Sequence, residues 1–147
     1  MSNLKVSVSN GRAALSGFID ETTDLSALAS LAGEIILNLK EVSRVNSCGV
    51  REWVNWLCKA AASAIVYEEC PVVVVKQLNA VPDFQGKAKI SSFFAPYFCE
   101  DCDSEAEMLL QSMQVEGGKA PEMKCGSCGK PMNFDAVPNQ YFSFIKR

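Results

Sequence analysis

Residues 34–59 read EIILNLKEVSRVNSCGVREWVNWLCK and place an apolar strand shortly before a long amphipathic helix. The run Ile35-Ile36-Leu37 is short and continuous, which is typical of a buried central strand. A polar loop is predicted through Ser43, after which Asn46 or Ser47 is available to cap a helix. One face of that helix carries apolar residues at helical spacing: Val50, Trp53, Val54, Leu57, Cys58 and Ala61. This stretch predicts an α/β fold.

The residues on either side extend the same alternation of strands and helices. Alternating apolar residues predict two strands over residues 4–19, joined at a turn formed by Asn10-Gly11. Helical spacing follows over residues 25–32, and residues 64–67 read as a second buried strand. Strands that alternate with helices predict a parallel or mixed sheet covered by helices.

Residues 72–75 are four consecutive valines and fit either kind of element. Valine favours a strand by propensity. Pro71 is well placed to begin a helix, however, and Leu78 and Val81 continue an apolar stripe from Val74. The residues alone leave both possibilities open.

Two C-x2-C pairs, Cys99/Cys102 and Cys125/Cys128, have the spacing of a structural zinc site. Each pair places two thiolates around one tight turn, and two facing turns complete a tetrahedron. The spacer between the pairs contains Gly117-Gly118 and Pro121, which suit a hairpin. Four protein ligands leave no position for water or substrate, so the sequence predicts one structural zinc ion and no catalysis by it. The alternatives are unmetallated thiol pairs, disulfides or a redox C-x-x-C motif.

Composition limits the class of protein. A chain of 147 residues with 48% hydrophobic and 21% charged residues is expected to fold, and no apolar run is long enough to span a membrane. The first residues lack a signal-peptide pattern, and seven cysteines fit reduced thiols plus zinc, so we expect a cytoplasmic protein without membrane insertion. Histidine is absent, which excludes catalysis by an imidazole base within this chain.

The charge argues against general binding of nucleic acid. The formal net charge is −3, and one zinc dication with four thiolates would bring it to about −5. Asp101, Asp103, Glu105 and Glu107 surround the first cysteine pair. This acidic cluster is interpreted as a solvated face, or alternatively as a surface for a basic partner.

The stretch from Gly17 to Leu57 resembles the STAS domain, the family of sulphate transporters and anti-sigma-factor antagonists. The order is strand, acidic loop, short helix, buried strand, then Val45-Asn46-Ser47-Cys48-Gly49-Val50 opening a long helix. The resemblance covers roughly residues 4–90. It implies a mixed sheet with helices packed on it, and it favours a helix over residues 72–80.

The resemblance also implies a non-enzymatic function. Such bacterial domains dock a protein partner, often a kinase-like anti-sigma factor, and phosphorylation at the start of the helix switches the docking. Cys48 stands where the family has its phosphoacceptor serine, and Asn46 stands where it has aspartate. Phosphorylation at the family's site is therefore impossible here, and Ser47 is expected to be occupied as the helix cap.

These features predict a non-catalytic signalling or scaffolding module with a protein partner, such as a kinase-like or chemotaxis protein, and they are compatible with homo-oligomers. Trp56 lies off the apolar stripe beside Glu52 and Lys59, which suggests an exposed binding anchor or packing against the zinc module. The predicted partner surface consists of Asn46, Ser47, Cys48, Gly49, Glu52, Trp56 and Lys59.

Two other functions remain as alternatives. Zinc ribbons as a class often touch nucleic acid, which would make the chain a zinc-ribbon nucleic-acid-binding protein. A helix N-terminus also stabilises a thiolate, so Cys48 could act as a redox sensor, with Cys70 near it. The alternative to a redox role is that both cysteines only fill apolar space.

The predicted domains are a STAS-like domain over residues 1–95 and a small β-rich zinc ribbon over residues 96–147. The family's final helix has no clear counterpart, and residues 138–146 are predicted to form a short helix that docks back in its place. Aromatic residues flank both cysteine pairs and are expected to form a core that joins the two parts into one rigid unit.

Overall fold

A computed structural model describes residues 2–29, 31–115 and 117–146. Its strands are Leu4–Ser9 (β1), Arg12–Ile19 (β2), Glu34–Val45 (β3), Ala64–Glu68 (β4), Lys89–Ile90 (β5), Ser92–Cys99 (β6), Ser104–Gln111 (β7), Met123–Lys124 (β8) and Pro131–Phe134 (β9). Its helices are Ser26–Ala29 (α1), Ser47–Lys59 (α2), Val72–Ala80 (α3), Pro82–Gln85 (α4) and Pro138–Tyr141 (α5), with 3₁₀ helices at Ser112–Val115 and Ser143–Lys146.

The first sheet has the strand order β1-β2-β3-β4-β5. Strands β1 and β2 form an antiparallel hairpin, and the remaining neighbours are parallel. Asn10 and Gly11 both have positive φ at the hairpin turn, 49° and 76°, which matches the handedness of a two-residue β-turn. The predicted mixed α/β class is confirmed, as is the hairpin.

Strand β3 is longer than the sequence predicted, and the loop expected through Ser43 is wrong. Ala14 of β2 pairs with Asn38, whereas Ser16 pairs with Glu41, so β3 carries one extra residue between these pairs. This bulge shifts the apolar alternation by one position, and the buried side chains are Leu39 and then Val42. The broken alternation resembles a loop in the sequence, although the backbone stays in the sheet.

Helix α2 begins at Ser47 and is capped by Asn46, whose side chain accepts a hydrogen bond of 2.8 Å from the Gly49 N–H. The expectation that the Ser47 hydroxyl is committed as the cap is therefore wrong. The buried face of α2 contains Trp53, whose Nε1–H donates to the Tyr67 hydroxyl at 2.9 Å. Tyr67 in turn donates to the Phe84 carbonyl at 2.8 Å, so one buried chain of hydrogen bonds joins α2, β4 and α4.

The four valines lie in helix α3, as the resemblance favoured. Val74, Val75 and Leu78 are fully buried, so the apolar stripe at helical spacing outweighs the strand propensity of valine. Pro71 lies one position before the helix as its N-cap, where its lack of an N–H group has no consequence.

The second sheet is antiparallel with the order β7-β6-β9-β8, and it is continuous with the core of the first sheet. The boundary predicted between residues 95 and 96 falls inside β6. Phe93 of this strand packs against Tyr141, Phe142 and Phe144 at ring-centroid distances of 6.4, 5.9 and 5.0 Å. The C-terminal segment thus packs on β6 as a short helix followed by a 3₁₀ turn.

Hydrogen bonds fix the C-terminal segment against α3. The Asn79 side chain donates to the Tyr141 carbonyl and accepts from the Ser143 hydroxyl and the Phe144 N–H, at 2.9, 2.8 and 3.1 Å. The predicted return of this segment onto the sheet domain is therefore present. Within the described residues, no helix combines the length and apolar character needed to cross a membrane.

Gly49 gives a direct test of how closely α2 approaches the sheet. A Cβ at this position would lie 2.1 Å from the Ile19 carbonyl oxygen, so Gly49→Ala must push the helix away from β2. We expect a loss of about 1–3 kcal/mol in the free energy of unfolding, measured by chemical denaturation. Gly117→Ala is the control because nothing lies within 4 Å of its Cβ position. Equal stability of the two variants would contradict the close approach.

Candidate functional site

The four predicted metal ligands come together where two hairpin turns meet. The Sγ atoms of Cys99, Cys102, Cys125 and Cys128 all lie within 4.8 Å of one another. Across the cluster, the Cys99 and Cys128 sulfurs are 3.5 Å apart, and so are those of Cys102 and Cys125. Four sulfurs held about 2.3 Å from a tetrahedral ion lie about 3.8 Å from one another. The cluster can therefore hold a metal ion.

Each cysteine pair is shaped by a tight turn. The first pair brackets the turn between β6 and β7, in which Cys99 pairs with Ser104 and Asp103 takes a positive φ of 55°. The second pair lies between β8 and β9, where the Gly129 N–H donates to the Cys125 carbonyl at 2.9 Å. Gly129 has φ of 73°, a conformation that favours glycine.

The surroundings of the cluster favour a thiolate at Cys125. Backbone N–H groups of Cys128 and Ser127, together with the Ser104 hydroxyl, lower the pKa of Cys125 to about 6. The Lys130 N–H favours the thiolate of Cys128, but the neighbouring Cys99 thiol and burial outweigh it and raise the pKa of Cys128 to about 12. A metal ion would remove this conflict, because it binds every sulfur as thiolate.

Ser104 is a site residue that the sequence interpretation missed. Its hydroxyl lies 3.0 Å from the Cys102 sulfur and 3.7 Å from the Cys125 sulfur, so it touches one cysteine of each pair. Outer partners of this kind orient metal ligands. Its place two residues after Cys102 is the only signal in the sequence, and many serines have such a position without any role.

All seven cysteines lie in the described part of the chain, and none of them forms a disulfide. Cys70 is fully buried, and desolvation raises its pKa, so its thiol stays protonated. Cys48 is half-buried in the first turn of α2. A redox partnership between the two would therefore need the protonated, solvent-excluded thiol of Cys70, which fits the space-filling interpretation of that residue.

Three of the predicted partner-binding residues line one groove. Glu52, Trp56 and Lys59 lie along α2 and face residues 23–29, including Leu25 of the loop before α1 and Ala29 at the helix's end, across a space of about 320 Å³. We call this space the α1–α2 groove. Residues 23–29 were not predicted as site residues, because only the fold brings them opposite α2.

The burial of Trp56 corrects the expectation of an exposed anchor. Its side chain is 7% exposed and packs edge-to-face against Trp53 at a centroid distance of 5.4 Å. Residues 23–29 line the groove together with Trp56, and no residue of the cysteine-containing second sheet lines it. Glu52 and Lys59 remain exposed at the rim, so the indole forms part of the floor and the charges form the edge.

The first turn of α2 lies apart from this groove. Gly49 is buried against the Ile19 carbonyl, so it positions the helix and has no side chain to offer a partner. Asn46 and Ser47 are exposed, and Asn46 lines a separate cavity of about 300 Å³ beside Phe18 and Arg44. The structure therefore divides the predicted partner surface into two places.

The loop beside the Asn46 cap is fixed by Asp20. Its carboxylate accepts from the Asn3 amide at 2.7 Å and from the Thr22 hydroxyl and N–H at 2.6 and 2.9 Å. These hydrogen bonds, led by the one from Asn3, lower the pKa of Asp20. The next residue, Glu21, accepts from the Asn46 amide at 3.2 Å. The loop therefore contacts the Asn46 side chain that caps α2.

Comparison of the chain with protein-family models, with curated proteins and with solved structures found no match.

The Asp20 network predicts a defined pH dependence. Because the pKa is lowered in the folded protein, the carboxylate's contribution to stability is complete above the ordinary aspartate pKa of about 3.9 and is lost as pH falls through the lowered value. Asp20→Asn replaces one acceptor by a donor. We expect this variant to be less stable at pH 7, with the difference from wild type shrinking below about pH 4 in thermal unfolding.

Glu34→Gln is the control for the loss of one carboxylate, since Glu34 is exposed at the start of β3. A difference between Asp20→Asn and wild type that stayed constant from pH 7 to acid would show that the carboxylate charge has no part in holding the loop.

Proposed function

We propose that the four-cysteine cluster binds one structural zinc ion and that the chain is a non-catalytic protein-binding module built on a STAS-like sheet. The convergence of four sulfurs within 4.8 Å of one another is the observation that supports the metal. Four thiolates with tetrahedral spacing are the ligand set that zinc prefers in structural sites. Such a site stabilises a fold and leaves no ligand position for a substrate.

The partner-binding part of the proposal rests on the α1–α2 groove. Its floor is apolar, from Leu25, Ala29 and Trp56, and its rim carries the opposite charges of Glu52 and Lys59. Apolar floors with polar rims are the anatomy of protein interfaces. The Trp56 Nε1–H is also buried without a hydrogen-bond partner among the described residues. This is unusual, because buried polar groups in folded proteins are nearly always hydrogen-bonded.

The STAS resemblance supplies the kind of partner. The proposal places the module in cytoplasmic signalling, with a kinase-like or other signalling protein bound along α2. Because Cys48 replaces the phosphoacceptor, we propose that binding is constitutive. Ser47 is exposed as the first helical residue, and its hydroxyl is free of the capping bond that Asn46 makes to Gly49.

The zinc proposal predicts which cysteines matter. Wild-type protein should contain one equivalent of tightly bound zinc by elemental analysis, whereas Cys102→Ser and Cys128→Ser should lose it and unfold more easily. Cys58→Ser is the matched control because Cys58 is exposed and lies outside the cluster. Reconstitution with cobalt(II) should give the visible spectrum of a tetrahedral thiolate site in wild type and in Cys58→Ser.

Less than half an equivalent of zinc in wild type, or the same metal content in all the cysteine variants, would remove the basis of this assignment.

The groove proposal predicts that charge reversal at the rim abolishes partner binding. In affinity capture from native extract of the source cells, a protein retained by wild type should be lost with Glu52→Lys and with Lys59→Glu, which place like charges against the partner. Glu41→Lys is the control because Glu41 is also exposed but lies on β3, outside the groove. A partner retained equally by all variants would bind elsewhere and would overturn the groove's assignment.

A further inference from the structure

Strand β7 forms one edge of the second sheet and pairs only with β6 among the described strands. The strand is eight residues long, Ser104–Gln111, and an edge of this length presents a row of backbone donors and acceptors that another strand can use. Proteins often protect such edges with bulges, prolines or very short strands. The pairing of β7 with β6 continues without a register shift from Gln111 to Ser104.

The hydrogen-bond register shows which backbone groups point outward. The Ser112 N–H donates to the carbonyl of Ser91, the residue just before β6, at 3.0 Å. The backbone groups of Ser112 therefore point toward the β6 side of the strand. In an antiparallel strand, the backbone N–H and C=O groups of successive residues point alternately toward and away from the partner strand. Those of Glu105, Glu107 and Leu109 therefore point away from β6, to the open edge. The Gln111 N–H confirms this phase, because it points away from β6 and is met by the Gln114 side chain at 2.7 Å.

Two of these three residues, Glu105 and Glu107, carry acidic side chains, and the third carries an apolar one. Glu105 and Glu107 are exposed, and neither takes part in an ion pair, since Arg12–Glu68 is the one salt bridge found within the described residues. Leu109 follows them on the same face with 41% of its surface exposed. Every second residue of the open edge is therefore, in order from the N-terminal end of β7, acidic, acidic and apolar.

A cavity of about 390 Å³ adjoins this edge and enlarges the acidic surface. Its lining includes Glu105, Glu107 and Asp135 together with the apolar side chains of Pro96 and Val72. Three carboxylates beside apolar carbon suit a long cationic side chain, whose stem packs on carbon while its head remains near the carboxylates.

We propose that the open edge of β7 binds an extended basic segment of a partner protein as an added antiparallel strand. The segment's residues opposite Glu105 and Glu107 are lysine or arginine, and the residue opposite Leu109 is apolar. Because the added strand runs antiparallel, its sequence reads apolar-x-basic-x-basic from N to C. Backbone hydrogen bonds supply affinity, and cross-strand charge pairs supply the choice of sequence.

A second copy of this chain is a poor occupant of the same edge. Antiparallel pairing of two β7 strands centred on Glu107 would place this carboxylate opposite its own copy, and like charges directly opposite each other are destabilising. The negative charge of the edge thus disfavours self-association and is complementary to a basic strand. This surface is separate from the α1–α2 groove, so the two assignments succeed or fail independently.

The test uses zinc-loaded full-length protein and a fluorescent, capped peptide of sequence Thr-Val-Thr-Lys-Thr-Lys-Thr. Binding measured by anisotropy should weaken about tenfold or more when both lysines are replaced by glutamate. N-methylation of the two lysines removes the N–H groups that point at β7. N-methylation of the two threonines that directly follow the valine and the first lysine is the matched control, since those N–H groups point away.

The protein variants complete the test. Glu105→Lys and Glu107→Lys together should weaken binding of the lysine peptide about tenfold and strengthen binding of the glutamate peptide, while Glu41→Lys on the first sheet should change neither. The proposal is overturned if both patterns of N-methylation weaken binding equally, or if the double variant binds like wild type. It is also overturned if sedimentation shows a wild-type dimer that the double variant dissociates.

Discussion

Strand β6 is the element on which both halves of the molecule depend, because one face of it runs from the shared core to the four-cysteine cluster. Phe93, Ala95, Tyr97 and Cys99 alternate along this face, and none is more than 1% exposed. Phe93 meets the C-terminal aromatic residues, and Cys99 is a predicted metal ligand. The Cys70 carbonyl accepts from the Phe94 N–H at 2.8 Å, which joins the same strand to the end of the first sheet. A metal ion at Cys99 would therefore act at the end of a strand whose other end is already fixed by aromatic packing. This arrangement explains why a closed four-ligand site suits this position.

The two surfaces proposed for partners differ in how their positions are determined. The α1–α2 groove depends on the close approach of Gly49 to the Ile19 carbonyl, since this contact sets the distance of α2 from the sheet. The β7 edge depends instead on the turn between β6 and β7, which the first cysteine pair closes. Loss of the proposed metal ion would consequently disturb the edge directly, whereas it would affect the groove only through the common core. The cysteine cluster thus adjoins the β7 edge, whereas the residues of the α1–α2 groove lie far from it in the sequence.

Local signals in the sequence predicted the features that depend on a few neighbouring residues. The Asn10-Gly11 turn, the amphipathic face of α2 and the two cysteine pairs are of this kind. The errors arose where distant segments decide the outcome. The bulge in β3 hid a strand because its extra residue is accommodated by pairing with β2, and Trp56 looked exposed because the residues that face it across the groove lie some thirty positions earlier. The choice of Asn46 over Ser47 as the cap depends on backbone geometry, since both residue types cap helices well. The outward phase of β7 could not be predicted either, because it follows from pairing with β6.

Charge connects the proposed zinc ion to the proposed basic ligand. Four thiolates around one dication would leave the cluster with two net negative charges. The first cysteine pair encloses the turn that leads into β7, and Asp101 and Asp103 are exposed on that turn. Zinc binding would therefore order the hairpin and also make its surroundings more acidic. Both effects act in the same direction for a basic strand, since a fixed edge reduces the entropy lost on binding and a more negative field favours the cation. For an anionic ligand the two effects would oppose each other, because ordering of the hairpin would favour binding and the added negative charge would disfavour it. The acidic residues around the cysteines therefore make a basic ligand the one for which the two effects would act together.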